Sequence, residues 1–207
     1  MERLARLALM GGTFDPPHIG HLLAASDACD HLELDRLVFV PAAQQPLKQH
    51  QQSAPAADRL RMVQLMADGD ARFAVDEIEI QRSGLSFTVD TLDAYAARSS
   101  GTQLFLLLGA DAFTLLDQWR DAARVVSLAH LVVLTREAGE EGVDAAAVTQ
   151  KVQSIGGEKA ATPRAIPSRR IDVSSTEIRS RVREGRPIRG FVTERVAQYI
   201  EQHGLYR

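Results

Sequence analysis

The sequence predicts an α/β fold, a Rossmann-like open and mostly parallel sheet with helices on both faces. Three observations carry this. Runs apolar on both faces, above all Leu104-Phe105-Leu106-Leu107-Leu108, suit strands covered by helices on either side. Segments with helical apolar spacing alternate with these runs along most of the chain. The glycine-bearing polar motifs fall at the strand ends, where open sheets of this kind bind ligands.

The elements follow in order. Leu4 to Met10 reads as a buried strand that runs into Gly11-Gly12. Ile19, Leu22, Leu23, Cys29 and Leu32 then share a helical face. Leu37 to Val40 is a second strand, stopped by Pro41, and a polar loop occupies 44–52. Leu60, Val63 and Ala67 mark a helix started by Ser53 and Pro55. The alternation of Phe73 with Val75, and of Ile78 with Ile80, predicts strand. Val89, Leu92 and Tyr95 predict a helix, Leu104–Leu108 the central strand, and Leu131–Leu134 another. The stretch 137–170 reads as a variable insertion holding a helix over Val143–Ile155. A strand around Ile171 and Val173 leads into Ser174-Ser175-Thr176 and a helix, and Phe191–His203 closes the chain as a helix. Residues 1–207 thus read as one domain, with a C-terminal helical part over 174–207.

Composition narrows the function. Hydrophobic residues make up 45% and charged residues 25%, the balance of a soluble globular chain. A net charge of −3 supplies no basic field for nucleic acid but leaves room for a local anion site. The single cysteine, Cys29, allows no intramolecular disulfide and sits in an apolar stretch, so it is expected in the core of a cytoplasmic protein. No apolar run approaches the roughly 20 residues that span a bilayer, so no membrane role is expected. A homo-oligomer is compatible with the sequence, which carries no signal for its size.

The segment Gly11-Gly12-Thr13-Phe14-Asp15-Pro16-Pro17-His18-Ile19-Gly20-His21 carries the chemistry. The two glycines let the backbone turn and approach a ligand closely. The following helix aims its N-terminal N–H groups at the same place. His18 and His21 are three apart and share the first turn, where two imidazoles can donate to phosphate oxygens. Gly20 keeps that face bare for a flat group. Zinc is a poor alternative, because no third ligand stands at a suitable spacing.

This segment resembles the H-x-G-H signature of the nucleotidyltransferase superfamily, and its fuller form resembles the bacterial nicotinate-nucleotide adenylyltransferases. Further motifs follow in the same order. Ser86-Phe87-Thr88-Val89-Asp90-Thr91-Leu92 resembles that family's S-Y-T-x-D-T-L, with phenylalanine for tyrosine. Gly109-Ala110-Asp111 with Trp119 resembles its G-x-D and downstream tryptophan. Val173-Ser174-Ser175-Thr176-Glu177-Ile178-Arg179 resembles its second phosphate signature. Two departures stand out: Leu47 replaces a histidine before Lys48, and Arg136-Glu137-Ala138-Gly139 stands where R-P-G is usual.

The resemblance implies transfer of the adenylyl group of ATP to nicotinate mononucleotide, in NAD biosynthesis, with Mg²⁺ held mainly by ATP phosphates. Nicotinamide mononucleotide, or another small phosphorylated acceptor, is the alternative. His18, His21 and Arg179 would then be catalytic. ATP would be held by Gly12, Thr13, Phe14, Gly20, Gly109, Asp111, Ser174, Ser175 and Thr176. The mononucleotide would be held by Lys48, Thr88, Trp119 and Arg136. A binding-only module on the same fold is disfavoured by the intact histidines, and a tRNA synthetase by length and acidic balance.

Overall fold

The computed structural model describes residues 5–46, 53–98, 101–136, 144–169 and 171–207. Six parallel strands form one sheet in the order β3-β2-β1-β4-β5-β6. They are β1 (Arg6–Gly12), β2 (Arg36–Pro41), β3 (Phe73–Val75), β4 (Gln103–Gly109), β5 (His130–Arg136) and β6 (Arg164–Ser168). The order reverses between β1 and β4, which pair directly through Leu7 with Leu104 and Leu9 with Leu106. Crossover loops leave that edge in opposite directions and open a crevice beyond the strands' carboxyl ends.

Period-two alternation splits the strands between two cores. Ala8, Leu37, Phe39, Phe105, Leu107 and Val132 face one side, under α1 (Ile19–Leu32), α2 (Ala56–Ala67), α8 (Ser175–Arg183) and α9 (Glu194–Gln202). Leu9, Val38, Val40, Leu106, Leu108 and Val133 face the other, under α4 (Thr88–Arg98), α6 (Ala122–Leu128) and α7 (Ala145–Gly156). Cys29 is buried in the first core, as its apolar surroundings predicted.

Three predicted elements are corrected. Ile78 and Ile80 do not extend a strand but open the short helix α3 (Ile78–Arg82). Asp76 Oδ1 accepts from the Ile78 N–H at 2.9 Å, and the Gln81 N–H donates to the Glu77 carbonyl at 2.8 Å. Two isoleucines with one residue between cannot distinguish a strand from a helical turn. The sixth strand lies at Arg164–Ser168, not around Ile171 and Val173. Pro167 hides it in the sequence, yet an edge position tolerates a residue that cannot donate to the ladder. The closing helix also begins later than Phe191, with Thr193 accepting from the Val196 N–H at its start. The remaining helix, α5 (Ala110–Thr114), follows β4 directly.

Arg59 of α2 fixes the loops beyond the carboxyl ends of β1 and β2. Its side chain is 1% exposed. Its Nη1 donates to the carbonyls of Thr13 (2.8 Å) and Ala42 (2.7 Å), its Nη2 to Ala43 (3.0 Å) and its Nε to Ala54 (3.0 Å). A planar guanidinium with five rigid N–H donors suits this task, and a lysine ammonium does not. Burial alone would depress its pKa, while the neighbouring Asp15 pulls the other way. Replacing Arg59 with Leu orphans four carbonyls, so we expect a loss of about 3 kcal/mol or more in urea unfolding. Arg59→Lys should recover only part of it, and stability unchanged in the Leu variant would refute this role.

Candidate active site

A cavity of about 580 Å³ lies over the switch point. Its floor is the carboxyl ends of four strands: Leu9–Gly12 of β1, Val40 of β2, Leu106–Gly109 of β4 and Leu134 of β5. His18, Gly20 and His21 form one wall. Thr88, Trp119 and their neighbours form another. Of the residues singled out from sequence, the fold thus gathers Gly12, His18, Gly20, His21, Thr88, Gly109 and Trp119 around one space.

The loop after β1 is shaped by packing. Gly11 and Gly12 are the last residues of β1, paired with Val40 and Pro41, so the sharp turn is not theirs. It falls on Phe14, whose φ of 51° places a bulky residue in the left-handed region. Burial of its ring offsets that strain: Phe14 meets His21 edge-on at 5.0 Å and Phe39 at 5.9 Å. A Cβ on Gly12 would stand 3.1 Å from the Phe14 ring, which explains the glycine.

The two histidines stack, with ring centroids 3.7 Å apart and planes at 30°. The His18 N–H donates to His21 Nδ1 at 3.1 Å. That nitrogen must carry a lone pair, so the neutral His21 ring holds its proton on Nε2. His18 Nδ1 is enclosed without a partner among the described residues, and a Cβ on Gly20 would approach it to 2.9 Å. The flat group lying against Gly20 is therefore the His18 ring itself. The Ile19 N–H donates to the Phe191 carbonyl at 2.9 Å, so neither His18 nor Ile19 supplies the free N–H expected at this helix start. Burial pushes His18 down to about 4, and burial with the neighbouring His18 holds His21 well below the usual imidazole range. Both rings are neutral near pH 7.

The α8 segment is tied to the same loop. Ser174 caps the helix by accepting from the Glu177 N–H at 3.1 Å. The Ser175 hydroxyl donates to the Pro16 carbonyl at 2.8 Å. Arg179 donates to the Asp15 carbonyl at 2.7 Å and to Thr176 Oγ1 at 3.3 Å. Asp15 in turn accepts from the Tyr206 hydroxyl at 2.7 Å, bringing the C-terminus into the loop's support. The Thr13 hydroxyl donates to Gln45 Oε1 at 2.9 Å. Asp111 stands outside the cavity wall, on the exposed first turn of α5. Lys48 lies outside the described residues. Arg136 ends β5, and its side chain lies outside the description.

Sequence reasoning missed Glu79. This buried carboxyl lines the cavity, accepts from the Thr91 hydroxyl at 2.7 Å, and is pushed upward by burial. Thr91 also accepts from Arg82 at 2.9 Å, so the network braces the turn that carries Ser86 to Thr88. Arg120 and Arg169 of the cavity wall were missed as well. All three belong to short helices or loops, where no periodicity reports which way a side chain faces.

The cytidylyltransferase-like family model matches residues 9–181. A Gemmatimonas aurantiaca protein named probable nicotinate-nucleotide adenylyltransferase is 48% identical over 206 residues, covering 98% of this chain and 92% of its own. The chain belongs to this adenylyltransferase family. A Roseiflexus protein of the same name is 40% identical over 204 residues, covering 98% of each chain. Among solved structures, a Plasmodium falciparum nicotinic acid mononucleotide adenylyltransferase complexed with NaAD superimposes with a TM-score of 0.77 over 97% of both chains. At 14% identity that likeness speaks for the fold.

The depressed histidine pKa values make stability depend on pH. Below about pH 6.5 the unfolded chain takes up protons that the folded rings refuse, so stability falls as pH drops toward about 4. For His18 this amounts to about 2 kcal/mol between pH 7 and 5. Chemical unfolding of His18→Gln beside the parent over that range should show a correspondingly shallower loss. Parallel curves would contradict the neutral, buried state of this ring.

Proposed function

We propose that the protein transfers the adenylyl group of ATP to nicotinate mononucleotide, forming nicotinate adenine dinucleotide and pyrophosphate in NAD biosynthesis. The observation that supports this best is the cavity at the switch point, with two neutral stacked imidazoles on one wall and Thr88 and Trp119 on another. One end suits phosphates and the other a flat, acid-bearing ring.

In this reading a phosphate oxygen of the mononucleotide attacks the α-phosphorus of ATP. The new P–O bond forms as the bond to the bridging oxygen breaks, and pyrophosphate carries away the electron pair. The nucleophile is already anionic, so no general base is required. Catalysis rests on positioning and on donors aimed at developing charge. His18 serves the α-phosphate and His21 the leaving pyrophosphate through its Nε2–H.

Backbone donors of Gly12, Thr13 and Phe14 border the phosphates, beside Gly20. Ser174, Ser175, Thr176 and Arg179 hold the outer phosphates, with Ser175 and Arg179 exchanging their carbonyl partners for phosphate oxygens. Gly109 and Asp111 receive the ATP ribose. Lys48, Thr88, Trp119 and Arg136 serve the mononucleotide. A Mg²⁺ ion is carried mainly by the ATP phosphates in this reading. Such an ion would neutralise phosphate charge. Among the described residues no helix is long and apolar enough to cross a membrane. The cytoplasm is the compartment this reading assigns.

Pyrophosphate release with ATP and Mg²⁺ tests the proposal, with nicotinate and nicotinamide mononucleotides assayed in parallel. We expect turnover with a clear preference for the acid. Preference for the amide would overturn the acceptor, and silence with both would overturn the reaction.

A further inference from the structure

The cavity wall holds two arginines among the described residues, and their situations differ. Arg169 is engaged by Asp27 through two hydrogen bonds, Nε at 3.0 Å and Nη2 at 2.7 Å. Asp27 is buried, so that charge is already matched. Among the described residues Arg120 has no comparable partner. Its nearest carboxylate, Asp90 Oδ2, stands 3.6 Å from Nη1, and both side chains are at least a third exposed. Such a pair is weak and readily exchanged. The guanidinium lies over the Phe87 ring at 4.6 Å, which sets its direction without consuming its donors.

The surroundings favour one kind of anion. Arg120 follows Trp119 directly, and Phe87 precedes Thr88 at the start of α4. All four line the cavity, and the Arg120–Phe87 contact brings the two pairs together. A flat aromatic ring stacked on Trp119 brings its ring substituent within an arginine's reach, and a carboxylate is the group a guanidinium fork holds best. The histidines come from a different loop and are the donors assigned to phosphate. We infer that Arg120 is a specificity-determining residue that recognises the carboxylate of an aromatic acid nucleotide and discriminates against the neutral amide. This rests on the function proposed above, and it supplies a discriminating charge that Thr88, a hydroxyl at a helix start, lacks.

The test compares Arg120→Gln with the parent protein, measuring kcat and KM for nicotinate and nicotinamide mononucleotides at saturating ATP and Mg²⁺. Loss of a charge-assisted hydrogen bond should lower kcat/KM for the acid by about tenfold to a hundredfold, mainly through KM. The amide values should stay within about threefold, so the acid preference collapses. Arg120→Lys, which keeps the charge, should retain much of that preference. An equal loss for both substrates would overturn the inference, since it would place Arg120 on a feature they share. An unchanged acid preference would overturn it too. The parent protein's own turnover separates the two levels of the account: if it uses neither mononucleotide, the proposed function falls and this role falls with it. If it turns over and Arg120→Gln keeps its selectivity, only the role of Arg120 falls. Arg120 is exposed, and a melting temperature matching the parent's confirms that kinetics are read on folded protein.

Discussion

One buried guanidinium governs the geometry of this site. A parallel sheet ends in loops whose carbonyls point away from the ladder and need partners. Arg59 supplies them for the loops after β1 and β2 at once, and for Ala54 at the entrance to α2. The Thr13 carbonyl is one of its acceptors, so the turn at Phe14 is held from beneath. That turn sets Phe14 against His21, and the His21 ring then accepts from the His18 backbone. A chain of ordinary contacts thus runs from a core arginine to the two imidazoles. Asp15 reinforces it, with Tyr206 and Arg179 bringing the last residues and α8 to the same loop.

The charge state of the histidines follows from this packing. Stacked and largely enclosed, neither ring tolerates a proton near neutrality. A site preloaded with two imidazolium ions would attract any anion and hold it. A neutral His21 ring with a fixed tautomer offers a directed donor instead. Positive charge in the described cavity wall is confined to arginines outside the imidazole pair, one matched by Asp27 and one loosely held by Asp90.

Much of this was legible in the sequence, for physical reasons. The central strands are apolar on both faces and long enough to be unambiguous, and helices α2 and α4 show an apolar stripe. The histidine loop is readable because glycine, histidine and a helix start coincide. What escaped notice depends on tertiary direction. The strand Arg164–Ser168 is short, edge-placed and carries a proline. The helix Ile78–Arg82 is only five residues long. Arg59 left a trace: it shares the face of Met62, Val63 and Met66, where a charge signals burial with partners. Ser175 and Arg179 were rightly placed at a helix start, but their backbone partners, Pro16 and Asp15, lie far away in sequence.

The central claim is that the Nε2–H of a neutral His21, held by the loop beneath it, stabilises charge that develops only as pyrophosphate departs. The most direct measurement is the single-turnover rate of adenylyl transfer by His21→Ala at saturating ATP, with its ATP affinity measured separately. The account predicts a rate at least about a hundredfold below the parent, with ATP affinity changed far less. A folded variant that transfers adenylyl at nearly the parent rate would contradict it.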